Sequence, residues 1–294
     1  MARYHQSVPS RLFDVANAGL LLLVAAACLF PLVFVFLTSV TSGTDFVGSG
    51  HGILPHKLTF YAYRMVWSDP LIRAGYFNTI MRTLFGTLAT LAVTAIVAYP
   101  LSRRRFRARS WLVLLVVFTV VFTGGMFPKY LLINGIGLIN NRLVYVLPIM
   151  LTGFNVIILR NFFAAIPDSI EEAARIDGAG DWTILAKIFV PLSIPALVTI
   201  GLWTAVLHWN LWFDGLLYIT DDSKQVMQVM LQRIVVEGDV NRLRFGAADL
   251  DAATYSAEAV KAAAIVINTV PLVVLYLLLQ RFFVKGITLG GLKE

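Results

Sequence analysis

Glu171, Glu172, Arg175, Asp177 and Asp181 fall within eleven consecutive residues of a chain in which only 14% of residues are charged. Carboxylates and a guanidinium at that density can offer ion pairs and charge-assisted hydrogen bonds to a protein partner. They do not assemble a catalytic set. The sequence holds no G-x-x-x-x-G-K-S/T phosphate loop, no H-E-x-x-H and no G-x-S-x-G. Its one cysteine, Cys28, excludes an internal disulfide and a paired-thiolate metal site. Cys28 sits in an apolar run that continues through Leu29, Phe30 and Pro31, which favours a packed helix thiol over a lipidated or cleaved terminus. The chemistry on offer is recognition rather than catalysis.

A second set of polar side chains interrupts apolar runs. Asn155, His208, Asn210 and Asn268 are candidates to line a solute route, because a polar group within a membrane span needs a partner. Trp203, Trp209 and Trp212 could stack on sugar faces, whose flat C–H surfaces suit π systems. The plainer alternative for each is hydrogen bonding between helices or anchoring at the membrane boundary.

The elements that must position these residues follow from composition. Of 294 residues 58% are hydrophobic, and the mean hydropathy is +0.77. A soluble chain of this size would expose too much apolar surface. Six apolar segments, at 16–40, 78–101, 110–130, 143–163, 192–219 and 259–283, approach or exceed the roughly 20 residues a spanning helix needs. Continuous runs rather than ten-residue alternation exclude a transmembrane barrel. The fold class is all-α, a polytopic membrane protein with six transmembrane helices in a single domain, 1–294. Five arginines occupy seven positions from Arg103 to Arg109, so that turn is expected in the cytoplasm, with both termini and the 166–191 loop on the same side. The net charge of +7 therefore reports topology, not nucleic-acid binding. The polar 220–258 stretch, with seven acids and four bases, falls outside. It is read either as a loop reaching toward a partner or as a solvated loop with some helix.

Within 166–191 the spacing predicts two short helices. Ser169 and Glu172 have the separation of a capping box after Pro167 and Asp168. Ala173, Ala174 and Ile176 give a small, smooth face. Gly178 suits the position after a helix end, and Asp181 suits the cap of a second helix that Pro191 stops. Five acids against three bases, counting Arg160, fit protein docking better than headgroup binding.

Glu172-Ala173-Ala174, three residues, Gly178, nine residues, then Ile188-Phe189-Val190-Pro191 resembles the cytoplasmic EAA loop of ABC-importer permeases, with Val190 where Leu is usual. The order of spans and the tail from Gly286 to Lys293 resemble the carbohydrate (maltose/oligosaccharide) branch. His208–Gly215 and Thr123–Pro128 are similar to the second membrane subunit of bacterial alginate-oligosaccharide importers. The resemblance implies that Glu171, Glu172, Ala173, Ala174, Arg175, Asp177 and Gly178 dock on an ATPase subunit. It also implies a homologous second permease, two ATPase subunits that hold ATP and Mg, an extracytoplasmic solute-binding protein and alternating access in a bacterial inner membrane. This chain itself needs no cofactor on that reading and is no enzyme. In the maltose importers the sugar site lies mainly in the other permease. An ion-coupled secondary transporter is the competing class, and a membrane scaffold a third; the first would need a charge relay inside the spans, where ionisable groups are scarce.

Overall fold

A computed structural model describes residues 8–41, 58–236 and 256–290. In chain order the helices are α1 (Val8–Ser39), α2 (Tyr61–Ser68), α3 (Pro70–Ser102), α4 (Arg109–Val121), α5 (Met126–Gly135), α6 (Gly153–Ala164), α7 (Asp168–Ile176), α8 (Asp181–Ile184), α9 (Val190–Leu192), α10 (Ile194–Asn210), α11 (Phe213–Tyr218), α12 (Met227–Val235) and α13 (Ala257–Gly290). Two 3-10 turns, Arg142–Tyr145 and Leu147–Ile149, precede α6, and a π turn, Leu185–Phe189, joins α8 to α9. Among the described residues no strand forms.

The chain divides into two units, Met1–Asp69 with Ile234–Ile267 and Pro70–Arg233 with Asn268–Glu294. In the first, α1 runs unbroken through Pro31 and keeps its side chains exposed from Leu12 to Phe34. An apolar surface on every side suits a helix that crosses a membrane. Cys28 is exposed with them, so the packed thiol expected from the sequence is not found. The far end of α1 is held: Thr59 N–H donates to the Val40 carbonyl at 2.8 Å, and Ser39 Oγ lies 2.6 Å from Tyr63 Oη on α2.

In the second unit α3 organises the packing. Its buried positions Gly75, Thr79, Arg82, Gly86, Thr90, Thr94 and Ala98 recur at three- and four-residue intervals and form one stripe of mostly small side chains. α10 and α6 pack against α3. Small residues let backbones approach closely where no water competes. At Gly86 the approach is extreme: a Cβ there would lie 2.4 Å from Cε1 of the fully buried His208.

Among the described residues three helices are long and apolar enough to span a membrane, and three bent pairs bring the number to six if each pair is one span. The six continuous segments expected from the sequence are thus continuous in three cases only. The third breaks between α4 and α5 with a 112° bend, where Gly125 holds φ +77° and no Cβ opposes it. The fourth bends by 52° between its 3-10 turns and α6. In the fifth, Pro191 does not stop the helix; the turns run on to Leu192, and the chain bends by 81° into α10, which has Pro195 near its start. Hydropathy measures where lipid is tolerated, not whether the hydrogen-bond ladder continues.

The breaks find internal partners, as backbone in lipid must. Leu211, the extended residue ending α10, offers its carbonyl to Arg82 at 2.7 Å. The same guanidinium grips Asp214 through two hydrogen bonds of 3.2 and 2.5 Å and lies 4.8 Å from the centre of the Tyr145 ring. The 220–236 part of the polar stretch is not a solvated loop. Gln225, Val226, Met227 and Val229 are buried, and Asn78 Nδ2 donates to the Ser223 and Gln225 carbonyls at 2.9 Å each. Residues 237–255 of that stretch and the tail from 291 lie outside the described residues.

Gly86→Val is expected to lower stability by about 1–3 kcal/mol through overpacking against His208. Adding His208→Ala should recover part of the loss, and the thermal unfolding midpoint of the detergent-solubilised chain measures both.

Candidate functional site

The charged island is built on the ends of two helices that cap each other. Arg103, just past α3, donates to the Phe163 carbonyl near the end of α6. Arg160 of α6 donates from Nε to the Leu101 carbonyl near the end of α3 at 3.2 Å. These carbonyls belong to the last turns, where the intrahelical ladder runs out, and Phe163 also accepts the Ile166 N–H at 3.2 Å.

On that footing sits an ion lattice. Arg103 reaches Asp168 at 3.1 Å and Glu171 at 3.5 Å; Arg105 reaches Asp181 at 2.9 Å and Glu171 at 3.3 Å. Arg175 donates to Glu171 Oε1 at 2.9 and 3.0 Å and also meets Asp181. Glu171 is 5% exposed. Burial pushes its carboxyl up from the ordinary range, and the Arg103 guanidinium opposes that shift. Beneath the lattice the Phe189 ring lies 4.6 Å from the Arg103 guanidinium and meets Tyr99 and Phe163 edge-on at 5.0 and 5.5 Å. Ile184, Leu185 and Phe189 are buried with Leu159, Phe163 and Ile200 in one apolar cluster.

α7 begins at Asp168 with Pro167 as its cap residue, and no side chain caps it. The expected capping box is therefore absent, because Ser169 already stands inside the first turn. Asp181 is likewise the first residue of α8, not its cap, and its carboxylate is drawn to Arg105 and Arg175. The far end of α7 matches expectation. Gly178 holds φ +84°, its N–H donates to the Arg175 carbonyl at 3.0 Å, and Ala179 N–H donates to Ala174 at 2.9 Å. Those two bonds form a complete Schellman closure.

The lattice sorts the sequence candidates. Glu171 and Arg175 are engaged within the chain, and Ala174 is half-buried. Glu172, Ala173, Asp177 and Gly178 are exposed, alongside Ile176 at 87% and Trp182 at 70%. Ile176 at the end of α7 and Trp182 on α8 are thus large apolar side chains left exposed beside carboxylates.

The candidate route residues separate in space. Asn155 and Trp203 meet: the indole Nε1 donates to Asn155 Oδ1 at 2.8 Å, and both line a cavity of about 440 Å³ with Thr90 and Thr152. Trp209 instead donates to the Asn268 carbonyl at 3.0 Å and meets Tyr76 edge-on. His208 faces Gly86, and Asn210 donates to the Val206 carbonyl at 3.0 Å while accepting from Gln228. Trp209, Asn268 and His208 are buried between helices. Sequence reading missed Tyr99, Arg103 and Phe189 as the footing of the island. Arg103 was visible only as one of five arginines that report orientation.

Known proteins supply the frame. The family model described as "binding-protein-dependent transport system inner membrane component" matches residues 106–289. The chain is 36% identical over 289 residues to a polygalacturonan/rhamnogalacturonan transport system permease protein of Bacillus subtilis (strain 168), covering 97% of this chain and 99% of that protein. It is 29% identical over 283 residues to a trehalose/maltose transport system permease protein of Thermococcus litoralis, covering 92% of this chain and 94% of that protein. Among solved structures, a chain of a bacterial ABC transporter involved in import of the acidic polysaccharide alginate superposes with a TM-score of 0.88 at 36% identity, over 96% of this chain and 100% of that one.

Arg103→Ala is expected to cost about 1–3 kcal/mol, because the Phe163 carbonyl loses its guanidinium donor while Arg105 and Arg175 still face Glu171. Glu172→Ala, on the exposed face, should stay within about 0.5 kcal/mol of the parent. Thermal unfolding of both variants in detergent separates the footing from the exposed face.

Proposed function

Because the chain belongs to the family of binding-protein-dependent transport system inner membrane components, we propose that it is one permease subunit of an ATP-driven importer of oligosaccharides, acidic fragments such as those of alginate among them. The observation that carries the reading is the exposed face of α7 and α8, anchored by the Glu171 lattice to the ends of α3 and α6. A docking element tied to two span ends moves with them. Closure of an ATPase pair beneath it then tilts the spans as a body and alternates access to the route.

The proposed partners are a homologous second permease, two ATPase subunits that bind ATP and Mg, and an extracytoplasmic binding protein that delivers the sugar. The chain is a membrane subunit and not an enzyme. The five-arginine turn supports placing the docking face and both termini in the cytoplasm of a bacterial inner membrane. Asn155 and Trp203 are the residues proposed to face solute, since they line a cavity. His208, Trp209, Asn210 and Asn268 contribute by fixing the helices around it. An ion-coupled carrier needs ionisable groups free to load and unload, whereas Arg82 and Asp214 are bound to each other.

Purification of the tagged chain from its own membranes, followed by mass spectrometry, is expected to recover a second permease and a P-loop ATPase. In the reconstituted complex Glu172→Lys should lower binding-protein-stimulated ATP hydrolysis by about tenfold, equivalent to about 1.4 kcal/mol of docking, with normal membrane abundance. Normal stimulation in that variant removes the docking role. Uptake that survives ATP depletion and collapses with the ion gradient removes the importer.

A further inference from the structure

The break between α4 and α5 opens beside a cavity of about 690 Å³, lined by Thr123, Gly124, Lys129, Pro148, Phe213 and Tyr218 among others. α4 follows the arginine turn and is 13 residues long, about 20 Å at 1.5 Å per residue. In a hydrocarbon core of about 30 Å the break therefore sits in the half of the membrane away from that turn. Lys129 stands there, exposed, one turn into α5. A cation in a spanning segment marks a functional site unless something neutralises it.

Nothing among the described residues does. Asp214 lines the same cavity, but its carboxylate is held by Arg82 at 2.5 Å and accepts the Gly215 N–H at 2.9 Å. The Arg82–Asp214 pair is neutral as a whole, and Lys129 forms no ion pair among the described residues, so the cavity carries one uncompensated positive charge. Phe213, 44% exposed, adds an aromatic face to the same wall. A cation and an aromatic ring lining one cleft are complementary to a uronic-acid residue, whose carboxylate takes ammonium hydrogen bonds and whose ring C–H face stacks.

We infer that the cavity at the α4–α5 break is a carboxylate-reading subsite, in which Lys129 binds the uronate group of an acidic oligosaccharide entering the route and Phe213 packs against its ring. The inference rests on the importer reading and names the substrate class and the residue that selects it. It places anionic-sugar recognition in this permease.

The test is equilibrium dialysis of tetragalacturonate, and of its carboxyl-reduced counterpart α-1,4-galactotetraose, against the assembled importer in phosphatidylcholine nanodiscs. No anionic headgroup then competes. The parent is expected to prefer the uronate. Lys129→Gln should weaken uronate binding by about tenfold, equivalent to about 1.4 kcal/mol, and leave the neutral sugar unchanged. Lys129→Arg should keep most of the preference. Equal uronate binding by the parent and Lys129→Gln overturns the inference and leaves Lys129 as a headgroup anchor. A parallel loss for both sugars overturns it in favour of a role in cavity shape, as does a parent without preference for the uronate. Proteoliposome uptake with the binding protein separates the two levels: a parent that moves no sugar sinks the importer reading and this subsite together, whereas uptake of uronate by parent and variant alike sinks only the subsite.

Discussion

Everything at the basic end of the second unit hangs on the burial of one carboxylate. Glu171 lies almost without solvent among Arg103, Arg105 and Arg175, and each of those arginines also holds another part of the chain. Arg103 closes the end of α6, while Arg105 and Arg175 converge on Asp181 at the start of α8. A buried ion cluster is no guarantee of net stability, since desolvation offsets much of the Coulomb gain. What it supplies is geometry, because each arginine ties Glu171 to a second part of the chain. The exposed face of α7 and α8 thereby inherits the orientation of the span ends.

The opposite end of that unit solves a different problem. Broken helices expose carbonyls that lipid cannot satisfy. Arg82 takes the carbonyl of Leu211, and Gln225 donates to the carbonyls of Gly215 at 3.3 Å and Ile219 at 2.7 Å. Tyr145 donates to the Lys224 carbonyl at 3.2 Å. Long polar side chains thus replace the missing ladder, and the bends persist as shaped walls. The cavity beside Lys129 exists because the third span does not continue.

How much of this was legible in the sequence follows from which physical rule governed each part. Membrane class, helical content and the number of crossings are read from apolar length, which is local. The positive-φ end of α7 at Gly178 is local too, and its turn chemistry is as expected. The capping box failed because α7 already starts at Asp168, so Ser169 lies inside it, and Asp181, expected as a cap, is claimed by the distant Arg105 and by Arg175. Glu171 and Glu172 are adjacent and chemically alike. Only the helix phase against α3 and α6 decides that one is buried and the other exposed. Asn155 and Trp203 meet across 48 positions, a pairing that no spacing rule gives. Lys129 lay within the 110–130 segment and drew no reading from the sequence, because the break that sets it beside a cavity is not a hydropathy feature.

The strap from Asp221 to Met227 has a consequence for biogenesis. Asn78 donates to carbonyls 145 and 147 positions later in the chain, and Thr79 accepts the Met227 N–H at 2.8 Å. Loop-closure entropy delays such contacts until the intervening chain is organised. While the middle of the protein is being threaded from the translocon, the polar side chains of α3 must wait in the membrane for partners not yet synthesised. Their engagement waits for the strap: a nascent chain halted before residue 221 has every span through α10 but lacks the segment that Asn78 and Thr79 of α3 bind.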